Sequence, residues 1–159
     1  MGPGRSASVV GVSESNPGPR LSYVIGRLDR TLRRQIEETI QPHGLTVPEF
    51  TTLSVLRRRA GLSNAQLARR ALITPQSMSQ VLAALIDKGL VRREQDPNHG
   101  RLLRSERTGE GRSVLTSCEA RVDELERRML DGIAGDDQRR LAAMLASCVQ
   151  MLGAGLGDH

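Results

Sequence analysis

Aromatic residues are almost missing: the chain has no Trp, one Tyr (Tyr23) and one Phe (Phe50). A core must then come from Leu, Ile, Val, Ala and Met, which suits helices better than a β-sandwich. The same scarcity argues against stacking of single-stranded bases on ring platforms. Lysine is nearly absent too, Lys88 being the only one among 23 basic residues. That arginine excess fits either phosphate contact or a GC-rich genome. The two cysteines, Cys118 and Cys148, make neither a disulfide framework nor a CxxC pair. No run of about 18 apolar residues offers a membrane span. No charged start followed by an apolar block offers a secretory signal, so a cytoplasmic protein without membrane contact is expected. His43, His99 and His159 stand alone, without metal-ligand spacing. No Ser-His-Asp order, paired carboxylates or Gly-rich phosphate loop supports an enzyme, a cofactor or a metal.

What is present is an uneven charge on a chain of single-domain length, 159 residues. Residues 47–108 hold eleven basic against five acidic side chains, whereas residues 109–159 hold six against nine. The positive charge therefore gathers on one central segment, as in a nucleic-acid reader.

Inside that segment, residues 63–90 (SNAQLARRALITPQSMSQVLAALIDKGL) read as two short helices joined by a tight turn. Ser63 and Gln66 have capping-box spacing. Thr74 is placed as an N-cap, with Pro75 at the first helical position, where its missing N–H costs nothing. Met78, Val81, Leu82, Leu85 and Ile86 recur at helical spacing, and Gly89 supplies the stop. The opposite face carries Gln76, Ser77, Ser79, Gln80 and Ala83. This is a helix-turn-helix whose second helix packs one side on a core and offers the other to a DNA groove.

The flanks support that reading. Residues 1–19 are a Gly/Pro/Ser-rich arm and 153–159 a frayed tail. Residues 20–42 predict a long helix in which Leu21, Ile25, Leu28, Leu32, Ile36 and Ile40 lie close to a heptad seam. Residues 47–60 predict another, capped by Thr46, with Phe50, Leu53 and Leu56 buried. The arginines 57–59 at its end are either a solvated terminus or phosphate contacts. After the helix-turn-helix, Leu90–Glu94 and Arg101–Arg107 can pair as a hairpin around the turn 96–100, although Leu102-Leu103 spoils strict alternation. A basic hairpin in this place is a wing, whose arginines suit a minor groove. Residues 109–132 predict a helix with Leu115, Cys118, Val122, Leu125 and Met129 in heptad spacing. A last helix, capped by Asp136 or Asp137, carries Leu141, Met144, Leu145, Cys148, Met151 and Leu152.

The order helix, helix, helix-turn-helix, basic hairpin, two long helices, with LARRALITPQSMSQVLAALIDKGLVRR followed by DPNHGR, resembles the MarR family of bacterial winged-helix regulators. The likeness covers about residues 20–152. It implies a mainly α fold with a small β-hairpin wing: a winged helix-turn-helix lobe (46–108) between N- and C-terminal dimerisation helices (20–45 and 109–152). It also implies a homodimer on a pseudo-palindromic operator in double-stranded DNA, usually a repressor, in many members released by a small-molecule effector. Candidate DNA contacts are Ser63, Thr74, Gln76, Ser77, Ser79, Gln80, Arg101 and Arg104, since Gln can pair bidentately with adenine and Ser or Thr can bond bases or phosphates. Candidate dimer contacts are Leu21, Ile25, Leu28, Leu115, Cys118, Val122, Leu125, Leu145 and Cys148. An effector would bind near residues 20–45 and the 47–60 helix. Where many members have Asp-Arg-Arg at the wing tip, this chain has His99, Gly100 and Arg101. The family's closing Leu-Thr is here Arg107-Thr108. Two alternatives share the fold: a redox- or metal-sensing regulator, and an adaptor that pairs with protein instead of DNA.

Overall fold

The computed structural model describes residues 18–96 and 99–153, with the backbone alone for His99, Arg101 and Leu102. The leader 1–17, the hairpin tip Pro97-Asn98 and the tail 154–159 lie outside the described residues. The chain runs α1 (Leu21–Ile40), a 3-10 turn (Gln41–His43), α2 (Val47–Arg58), α3 (Asn64–Arg70), α4 (Pro75–Asp87), β1 (Val91–Asp96), β2 (His99–Arg107), α5 (Gly109–Met129) and α6 (Gly135–Met151).

Helix starts follow the side chains that satisfy free N–H groups. Thr46 and Glu49 form a reciprocal capping box on α2, Ser63 and Gln66 form one on α3, and Thr74 caps α4. Helix α6 departs from expectation. Its N-cap position is Ala134, with no side-chain cap, and Asp136 and Asp137 sit in the first turn. There they face the positive end of the helix dipole and pair with Arg139 and Arg140.

The core lies where the lobe helices meet α5. Ile40, Leu53, Leu56, Leu67, Met78, Leu82, Leu85, Leu115 and Cys118 are fully buried, none of them aromatic. The heptad seam of α5 therefore serves its own protomer. Leu115, Cys118 and Val122 join this core, Leu125 is buried as well, and none of the four is open to a second chain. Spacing shows which residues share a face, but α1 and α2 pack on that helix before any partner can.

The strands β1 and β2 pair antiparallel from Val91↔Arg107 to Gln95↔Leu103, and the register then shifts to Asp96↔His99. That irregularity absorbs the Leu102-Leu103 doublet. A bridge from Leu62 to Ser105 anchors the hairpin to the lobe. At its base Thr108 caps α5, and its hydroxyl donates to the Gly89 carbonyl at 2.6 Å. Gly111, one turn on, packs so closely on Leu90 that a Cβ there would collide with the Leu90 carbonyl oxygen.

The outer helices are different. In α1, Ile40 is buried, but Leu21 is 67% exposed and Ile25 and Leu28 are open too. Helix α6 has no buried residue; Leu145 is half-buried and Cys148 exposed. Gln138 ties its first turn to the connection from α5, its amide donating to the Leu130 and Ile133 carbonyls.

Candidate nucleic-acid interface

Five candidate residues lie on the exposed first turns of α4, and their hydrogen bonds divide them. Thr74 Oγ1 accepts from the Ser77 backbone at 3.1 Å and donates to Ser77 Oγ at 2.9 Å, so both hydroxyls build the helix start. Ser79 Oγ donates to the Pro75 carbonyl at 3.0 Å and accepts from Asn64 Nδ2 at 2.9 Å. Ser63 is likewise occupied as the cap of α3. Gln76 and Gln80 are exposed and carry no hydrogen bond among the described residues. Spaced four apart, they extend from one face of a helix whose other face (Met78, Leu82, Leu85) is locked in the core. Both amide edges are thus available for bidentate pairing.

The turn before this helix is strained. Leu72 adopts φ 56, a left-handed conformation that costs a non-glycine residue about 1–2 kcal/mol, and its side chain is 77% exposed. The far end of α4 is tied down. Lys88 Nζ donates to the Gly44 carbonyl at 2.8 Å and to Glu49, which is only 3% exposed, at 2.7 Å. Glu49 also accepts from the Thr46 backbone N–H, so one carboxylate joins the start of α2 to the end of α4.

On the wing, Arg104 stands beside Asp96, a carboxylate 2% exposed, at 2.5 Å from Nη2 and 2.6 Å from Nε. Its stem also packs over Gly61. Arg104 thus braces the hairpin against the lobe with two of its donors engaged. The carboxylate that secures a wing arginine comes from Asp96, at the end of β1, and not from the tip triplet. Arg92 pairs with Glu94 and Glu106. The side chain of Arg101 lies outside the described residues. At the wing base, burial and then Arg112 push the Arg107 guanidinium below the usual arginine range, with Glu119 opposing and Arg57 adding to the push. Arg57 itself pairs with Glu119 at 3.0 Å, so this arginine of the 57–59 run links α2 to α5.

A family model for MarR matches residues 43–102, the lobe just described. The HTH-type transcriptional repressor Rv2887 of Mycobacterium tuberculosis is 37% identical over 136 residues, covering 86% of this chain and 96% of that one. The chain belongs to the MarR family. Its MarR fold superposes on the crystal structure of Rv2887 in complex with DNA at a TM-score of 0.68, with 35% identity over 82% of this chain and 98% of that one. The Rv2887 complex with salicylic acid gives a TM-score of 0.66, with 36% identity over 83% and 98%. A MarR-family regulator called SP03579 reaches a TM-score of 0.77 at 20% identity, over 83% of this chain and 87% of that one, a likeness of fold alone.

Three features of this MarR lobe escaped the sequence: Asn64 bridging to α4, the Asp96–Arg104 pair, and the Lys88–Glu49 tie. Only the last left a trace, as the one lysine in an arginine-rich chain. Of the clefts that border α5 among the described residues, two also touch α1. One, of about 350 Å³, lies between α1 and α5 and is lined by Leu28, Leu32, Gln35, Leu125 and Met129. The other, of about 630 Å³, lies between Glu38, Thr39 and His43 on one side and Ser117, Arg121 and Glu124 on the other. Cys118 of α5 is buried, and burial followed by the Glu119 charge raises its thiol above the ordinary range. No described helix is long and apolar enough to cross a membrane.

Proposed function

We propose that this chain is a homodimeric repressor that reads a pseudo-palindromic operator with Gln76 and Gln80 of α4 and releases it when a small aromatic carboxylate binds. Residues 46–108 are the reading lobe, and 20–45 with 109–152 the flanking helical region, of which α1 and α6 carry the dimer contacts. The observation that carries the reading is the contrast on α4: its serines and threonine are spent on the fold, while its two glutamines are exposed and uncommitted. Arg101 on the wing supplies the minor-groove contact, and the Asp96–Arg104 brace holds the hairpin in reach. Dimerisation falls to the exposed stripe of α1 (Leu21, Ile25, Leu28) and to α6 (Leu145, Cys148), whose side chains their own protomer leaves wholly or half uncovered. The effector site is the 630 Å³ cleft, where Arg121 offers a cation to a carboxylate. The ligand class follows the relative crystallised with salicylic acid.

Purified protein should select from its source genome an inverted repeat with half-sites about ten base pairs apart. Salicylate should then release the fragment. Recovery of unrelated sequences alone, with steep salt dependence, would leave only non-specific binding.

A further inference from the structure

Asn64 is the first residue of α3, yet its side chain serves α4. Its Nδ2 donates to the Pro75 carbonyl at 3.1 Å and to Ser79 Oγ at 2.9 Å, and Ser79 Oγ donates back to Pro75 at 3.0 Å. Asn64 Oδ1 is buried without a hydrogen bond. The amide cannot turn over, because Oδ1 would then face the Pro75 carbonyl oxygen, acceptor against acceptor. The residue type does little for α3 itself: an acidic side chain at a helix start interacts better with the dipole. What asparagine uniquely supplies here is a double donor aimed at the neighbouring helix.

The two atoms it holds adjoin the two free glutamines in sequence: Pro75 precedes Gln76, and Ser79 precedes Gln80. Resting on the DNA-reading function above, we propose that Asn64 is a positioning residue for base recognition, clamping the first turn of α4 so that both glutamines meet the base edges in one orientation. The required precision is small in ångströms. A side-chain tip about 6 Å from the helix axis moves about 1 Å when the helix rotates by ~10°, which is wider than the window of a good hydrogen bond. The clamp therefore governs discrimination between sequences, while phosphate contacts tolerate its loss.

The test compares Asn64→Asp, Asn64→Ala, Ser79→Ala and the Asn64→Ala/Ser79→Ala double variant with the parent protein, on the selected operator and on a random duplex. Asn64→Asp keeps the shape and favours the helix start, so it folds while losing the donors. Both Asn64 variants should lose about tenfold on the operator; in Asn64→Ala, which adds no charge, random-duplex affinity and salt slope should stay unchanged. The double variant should lose no more than Asn64→Ala, because the two residues act as one unit. In the free protein, amide exchange at Ser79 and Gln80 should quicken in Asn64→Asp while α2 stays as before. Operator preference retained within twofold in Asn64→Ala, equal loss on both duplexes in that uncharged variant, or unchanged exchange in Asn64→Asp would each overturn the clamp. Quickened exchange in a protein that prefers no duplex would instead sink the DNA-reading function and leave the clamp standing.

Discussion

Lys88 Nζ lies 2.7 Å from both carboxylate oxygens of Glu49, so the single lysine of the chain closes the seam between the end of α4 and the start of α2. Replacing it by methionine strands a buried carboxylate. Lys88→Met should lower stability by about 2 kcal/mol, seen as a fall of several degrees in thermal midpoint. The Lys88→Met/Glu49→Gln pair should recover part of that loss, since removing both charges also removes the desolvation cost. A midpoint unmoved by Lys88→Met would show that water replaces the ammonium there.

The two glutamines should behave as base readers. Gln80→Ala and Gln76→Ala are each expected to cost about 1–3 kcal/mol on the operator and nothing on random duplex, measured by fluorescence anisotropy. Loss shared equally by both duplexes would assign them to phosphate contact.

The wing arginines should separate by salt dependence. Arg101→Ala is expected to lower the salt slope by about one unit, as for a lost phosphate or groove cation. Arg104 is engaged with Asp96, so Arg104→Ala should weaken binding by loosening the hairpin while the slope stays the same. Matching slopes for the two variants would contradict this division.

Gly111→Ala places a methyl against the Leu90 carbonyl oxygen. The start of α5 must move away from the end of α4, at a cost of about 3 kcal/mol, the upper range for an overpacked site. Gly109→Ala, two residues earlier, meets only the flexible tip of Arg112 and serves as the control. Comparable thermal midpoints for the two would show that the contact relaxes freely.

The cysteines should react in sequence. In dilute protein a thiol reagent should modify Cys148 promptly and Cys118 only on unfolding, because Cys118 is buried with its thiol raised above the ordinary range. Raising the protein concentration should slow Cys148 if α6 forms the dimer interface. The raised thiol also fixes a sign: above the unfolded thiol pKa the native state keeps a proton that the unfolded chain has lost. Its contribution to stability is present below that pH and falls as pH rises further. A Cys118→Ala variant should flatten that alkaline decline.

The local parts of this fold were legible because their causes are local. Ser63 with Gln66, Thr74 before Pro75, and the stripe through Met78, Leu82 and Leu85 each fix a helix start or a buried face within one short window. Partner choice was not legible. The seam Leu115, Cys118, Val122, Leu125 has the spacing of a helix pair, but spacing is silent on whether the second surface belongs to the same chain. Likewise Ser79 reads as a polar residue on a groove-facing helix, and nothing in its neighbours reveals that Asn64, fifteen positions earlier, has already claimed its hydroxyl. The Asp96–Arg104 brace spans the hairpin turn, where the sequence shows only that a turn exists.

The contact of Gly111 with Leu90 gives the long helix a mechanical role. Helix α5 has 21 residues, or about 31 Å at the usual rise, and it is pinned at one end to the root of the wing. With no side chain between them at that joint, a change in the angle of the helix would be passed directly to the hairpin root. A tilt of only ~5° about the pinned end carries the far end through about 3 Å, by the same helix geometry. Run in reverse, a few ångströms of displacement where two such helices meet are delivered to the wing root as a change of angle, undamped. Leverage of this kind would give a ligand in the proposed cleft beside α5 a way to spoil the fit to DNA without unfolding any part of the chain.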